Sequence, residues 1–84
     1  METEEKIRQL IEKTIVEKGY ELFKVKYEKE DNNNFLRVII DKEAFIKVED
    51  CVLINNLISP ILDNSDLIKE SYILDVCSKE KGRL

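Results

Sequence analysis

The residues able to do chemistry are few. Glu49 and Asp50 stand side by side, Cys51 follows them, and Cys77 and Ser78 form a second pair nearer the other end. Paired carboxylates can share acid–base work, and a thiol or hydroxyl can attack an electrophile, but each needs a converging partner. Adjacent helical positions point about 100° apart, so Glu49 and Asp50 cannot address one substrate atom. Their plain role is to complement the positive end of a helix dipole. The chain has no His, the commonest general base and zinc ligand. Neither cysteine nor Ser78 has an activating neighbour, and neither a phosphate-cradling glycine loop nor metal-ligand spacing is present. The residue inventory predicts no enzyme, no cofactor and no metal.

Binding is the remaining class, and charge limits what can be bound. The 84 residues carry 14 Lys and Arg against 18 Asp and Glu, a formal charge of −4. A net acidic surface opposes nonspecific attraction to nucleic acid, so any RNA contact has to be local or carried by a protein partner. The acids cluster: Glu49, Asp50, Asp63, Asp66, Glu70 and Asp75 face a single base, Lys69, between residues 49 and 78. The last six residues reverse the sign, with Lys79, Lys81 and Arg83 against Glu80. The length allows one cored domain. No apolar run approaches the roughly 20 residues of a membrane span. Residues 1–6 lack the basic and apolar regions of a secretory signal, which predicts a cytoplasmic chain with reduced thiols.

The elements that would position these residues follow from periodicity. Ile7, Leu10, Ile11, Thr14 and Ile15 lie on one helical face, with Thr3 as the expected N-cap, Lys18 in the last turn and Gly19 as the stop. Phe23, Val25 and Tyr27 then alternate with Lys24, Lys26 and Glu28, the period of a strand. Asp31 to Asn34 reads as a turn, and Leu36, Val38 and Ile40 alternate with Phe35, Arg37 and Ile39 in a second strand, making a hairpin. A second helix is expected near Val48, with Cys51, Ile54, Ile58, Ile61 and Leu62 as its apolar face. Pro60 is expected to kink it, or to end it near Asn56 to Ser59. Asp63 to Asp66 reads as a further turn, before Tyr72 to Cys77 alternate as a third strand.

The fold predicted is α+β, in the order α-β-β-α-β, with a three-stranded sheet and two helices packed on one face. Phe23, Val25, Leu36, Val38, Ile40, Leu74 and Val76 would meet the helices. The opposite face would show Lys24, Lys26, Phe35, Arg37, Ile39, Ile73 and Asp75. Three bases beside apolar side chains make that face the candidate binding surface, although lysines at alternate positions also simply solvate a sheet. Phe35 is the single ring expected there, fewer than the two or three of RNA-stacking sheets.

In this order the motifs resemble the N-terminal domain of the ribosome maturation factor RimP family. Gly19-Tyr20-Glu21-Leu22, Leu36-Arg37-Val38-Ile39-Ile40-Asp41-Lys42, Glu49-Asp50-Cys51, Leu57-Ile58-Ser59, Leu62-Asp63 with Asp66, and Tyr72-Ile73-Leu74-Asp75-Val76-Cys77-Ser78 carry the resemblance. Three features depart from the family pattern. The Pro-Gly turn after the last strand is replaced by Lys79-Glu80-Lys81-Gly82. Ala44 and Phe45 stand where glycines are usual, and Lys47 stands for the usual Thr cap, at an expected cost of about 1 kcal/mol.

The resemblance implies a non-catalytic module assisting small ribosomal subunit maturation, with small-subunit ribosomal protein and RNA as partners. The family's usual architecture adds a second, SH3-like domain after this one; here a domain over residues 1–78 and a basic tail or truncated linker over 79–84 are expected, with that second domain absent. Lys24, Lys26, Phe35, Arg37, Ile39 and Arg83 are the residues expected to touch a partner. Two competing readings are a weak homodimer through Phe35, Ile39 and Ile73, and a small RNA-binding domain like KH folds. The second lacks the Gly-x-x-Gly clamp, the only glycines being Gly19 and Gly82.

Overall fold

A computed structural model describes residues 2–79. The elements are α1 (Glu2–Glu17), β1 (Glu21–Glu30), β2 (Asn33–Asp41), α2 (Val48–Ser65) and β3 (Ile73–Ser78). The sheet order is β1-β2-β3, with β1 antiparallel and β3 parallel to β2. The order α-β-β-α-β and the α+β class are therefore as expected. Among the described residues no helix is long and apolar enough to cross a membrane.

Both helices cover one face of the sheet. Ile7, Ile11 and Ile15 from α1 and Ile54, Ile58 and Leu62 from α2 meet Leu22, Val25, Leu36, Val38 and Ile40 in a single core. Each helical set is spaced by four residues, which stacks side chains along one stripe. Leu74 and Val76 pack against this core half-buried, while Leu10 lies at the exposed margin of α1.

The structure corrects the sequence reading at four local points. Thr3 lies inside α1 rather than capping it, and Lys18 lies beyond its end. Gly19, at φ +92°, does terminate the helix, its amide donating to the Val16 carbonyl at 2.9 Å. The hairpin turn is tighter than expected: Asp31 and Asn32, both at positive φ, form its two-residue tip, and Asn33 and Asn34 belong to β2.

Pro60 neither ends nor splits α2, which runs on to Ser65 before Asp66 closes it in the left-handed conformation. Asp63 to Ser65 are thus helical. Pro60 is exposed, so its missing donor falls on the solvent side, where water can serve the freed Asn56 carbonyl. The buried stripe Ile54, Ile58 and Leu62 holds both turns to the sheet meanwhile.

Phe23 is the fourth correction. It points away from the core, 48% exposed, because a β-bulge between Leu22 and Lys24 shifts the register against β2. The extra residue lets Leu22 and Val25 both face inward opposite Ile40 and Val38.

Candidate docking face of the sheet

The helix-free face is built of cross-strand rungs. Lys24 lies opposite Ile39, which lies beside Cys77; Lys26, Arg37 and Asp75 form the next rung; Glu28, Phe35 and Ile73 form the third. The structure thus brings Lys24, Lys26, Phe35, Arg37 and Ile39 onto one surface. Arg83 lies outside the described residues, as does the tail beyond Lys79.

Arg37 is not a free cation on that surface. Its Nη1 donates to Glu28 Oε1 at 2.7 Å and to Glu30 Oε2 at 3.2 Å, its Nη2 to Glu30 Oε1 at 3.2 Å, and its Nε to Asp75 Oδ2 at 3.2 Å. The three carboxylates hold its pKa even higher than usual, and Arg37 in turn lowers that of Glu30. Lys26 Nζ approaches Glu28 at 3.6 Å. The middle of the face is therefore an ion-pair network across all three strands, two bases against three carboxylates, and Lys24 is an exposed base beside it.

The bulge adds what periodicity missed. The Lys79 ammonium sits 4.3 Å from the centre of the Phe23 ring, as the Arg37 guanidinium sits 4.8 Å from that of Phe35. The face therefore carries two rings, each beside a cation. The consecutive apolar pair Leu22-Phe23 inside an alternating run was the signal that could have revealed it.

A second cluster forms where the chain leaves β2 and enters α2. The Tyr20 hydroxyl donates to Asp50 Oδ1 at 2.5 Å, Lys42 Nζ donates to the same oxygen at 3.3 Å, and the Lys47 amide donates to Asp50 Oδ2 at 2.6 Å. Asp50 is held down to about 2, first by the Tyr20 hydroxyl and then by the Lys47 amide. Tyr20 is pushed up to about 12 by its bond to the carboxylate and by burial. The sequence assigned Asp50 only to the helix dipole; it also supplies half of a capping box for α2. Lys47, the N-cap residue, offers no side-chain acceptor, as its ammonium only donates. This cluster ties the first turn of α2 to the start of β1 and is structural.

Both thiols are free and half-buried, and burial pushes their pKa values up, away from reactive thiolate. Among the described residues no group of three or more His, Cys, Asp or Glu could hold a metal ion. Residues 10–79 match the family model of the RimP N-terminal domain.

Proposed function

The chain belongs to the RimP family, and from that premise we propose that it is a non-catalytic binding module assisting maturation of the small ribosomal subunit in the cytoplasm. The match over residues 10–79 is the observation that carries this reading. Its partners are small-subunit ribosomal protein and RNA, met on the helix-free face of the sheet. Exposed Lys24, half-buried Lys26 and the basic residue Arg83 supply charge, while Phe35 and Ile39 supply apolar contact and Arg37 holds the three strands in register. The overall negative charge favours a local footprint, with protein contacts carrying much of the affinity. The proposed domain comprises residues 1–78, with 79–84 as a basic extension.

Sedimentation of cell extract tests the reading. The tagged chain should co-migrate with small-subunit precursor particles, and the double variant Lys24→Glu, Lys26→Glu should leave those fractions while melting like the parent. A parent chain that never co-migrates overturns the proposal.

A further inference from the structure

β3 is the last strand of the sheet, and among the described residues no strand pairs with its outer side. The Lys79 amide donates to the Ile40 carbonyl at 2.8 Å, which turns the main-chain groups of alternate residues 77, 75 and 73 toward β2. Strand alternation then turns the N–H and C=O of Leu74, Val76 and Ser78 outward. These are the unpaired hydrogen-bonding groups of an open sheet edge.

Beside that edge lies a groove of about 260 Å³ between α2 and β3, lined by Val48, Cys51, Val52 and Asn55 on the helix and by residues 74–76 on the strand. Val48 is 79% exposed and Val52 is 52% exposed, one helical turn apart on its rim. An apolar strip bordering unpaired main chain is the combination used to add an extended peptide as a new strand. Main-chain bonds then supply affinity, and alternate side chains enter the groove.

Charge selects the occupant. The stretch that builds the groove, residues 48–78, holds six acids against the single base Lys69, with Lys47 and Lys79 flanking its two ends. Glu49 is exposed beside Val48, and Asp75 lines the groove from the strand while accepting from Arg37; Asp63 is exposed at the far end of α2, toward Tyr72. A second copy placed edge to edge would set two such acidic rims against each other. A segment carrying Lys or Arg would neutralise them.

We infer that the outer edge of β3 and the α2 groove accept an extended, basic segment of a partner protein, added as a fourth strand. Its apolar side chains enter the groove beside Val48 and Val52, and its basic side chains meet the acidic rim. The site is separate from the helix-free face, and the inference does not require the partner to be ribosomal.

A ten-residue peptide of alternating Lys and Val is the probe, titrated into the isotope-labelled chain. The expected result is slowed amide exchange at Leu74, Val76 and Ser78, and shifts along α2 at Val48 and Val52. The peptide N-methylated at every residue, which cannot donate main-chain hydrogen bonds, should bind at least tenfold more weakly, as should a Glu/Val peptide. Val52→Lys, at an exposed position, should weaken the Lys/Val peptide at least tenfold with the melting temperature kept. Equal binding of the methylated peptide, shifts confined to Lys24 and Phe35, or concentration-dependent self-pairing at β3 without peptide each overturns the inference.

Discussion

The two edges of one sheet are finished in opposite ways. On β1 the helix α1 supplies side chains to the outer main chain: Glu4 accepts the Tyr27 N–H at 2.7 Å, and the Arg8 guanidinium donates to the Leu22 carbonyl at 2.8 Å. The bulge at Phe23 and the exposed Lys24 and Lys29 further spoil that edge for another strand. On β3 the neighbouring helix covers the inner face of the strand but leaves its flank open beside exposed valines. A long α2 thus gives no side-chain partner to the outer main chain of a short, parallel β3, where α1 occupies two of the outward groups of a long, bulged β1. Edge protection here is a matter of which helix residues reach the backbone, and the unprotected side is the one with acidic surroundings.

The largest test of this contrast strikes the scaffold of the open edge. Ile58 is fully buried at the centre of the α2 stripe. Ile58→Ala should lower stability by about 3 kcal/mol in urea unfolding, through lost transfer energy and a cavity. If α2 alone shapes the groove, Lys/Val peptide binding should fall with it while the Tyr27 amide stays protected by Glu4. Pro60→Ala works in the opposite direction. It restores a helical donor at an exposed position, and the gain should be about 1–2 kcal/mol after the lost rigidity of the unfolded chain is offset. A loss of stability would mean that the proline ring itself helps to seat α2.

The sequence revealed element order, the inward stripe of each helix and the hairpin, because these depend on local period. It did not reveal the bulge, since Phe23 satisfies the same alternation as Val25 and Tyr27 until the pairing with β2 is known. The helix end expected near Asn56 to Ser59 fails for a related reason: local sterics allow a break at Pro60, and the tertiary anchoring of Ile58 and Leu62 on either side carries the helix through it. The lysines of the candidate face were legible as exposed bases. The pairing of Arg37 with Glu28, Glu30 and Asp75 was not, because Asp75 arrives from 38 residues away in a strand whose neighbour was unknown. The open edge was hidden for the same reason, since strand order decides which strand is last.

A smaller effect is expected at the cluster joining β1 to α2. Tyr20→Phe should cost about 1 kcal/mol by deleting the hydroxyl bond to Asp50. The pH dependence is diagnostic. Asp50 is depressed from its ordinary 3.8 to about 2, so its stabilisation is present above 3.8 and is lost as pH falls toward 2. Tyr20 is raised from 10.0 to about 12, so its stabilisation is present below pH 10 and is lost as pH rises toward 12. Tyr20→Phe should flatten both limbs of the stability profile. A variant that loses stability equally at every pH would show that ring packing, rather than the hydrogen bond, holds the two elements together.

The smallest effect sharpens the comparison of edges most directly. Glu4→Ala removes the acceptor of the Tyr27 amide, which water can partly replace at the margin of the sheet, so stability should drop by only about 0.5 kcal/mol. Amide exchange at Tyr27 should nevertheless accelerate severalfold, because the change frees one donor without disturbing its pairing partner Leu36. If unpaired main chain alone made an edge receptive, the Lys/Val peptide would now bind at β1 as well. It should still choose β3, since Lys24 and Lys29 repel it, the bulge breaks the run of outward donors, and Arg8 still occupies the Leu22 carbonyl. Binding of that peptide along β1 in Glu4→Ala would show that Glu4 alone separates the closed edge from the open one, leaving charge without a part in the choice.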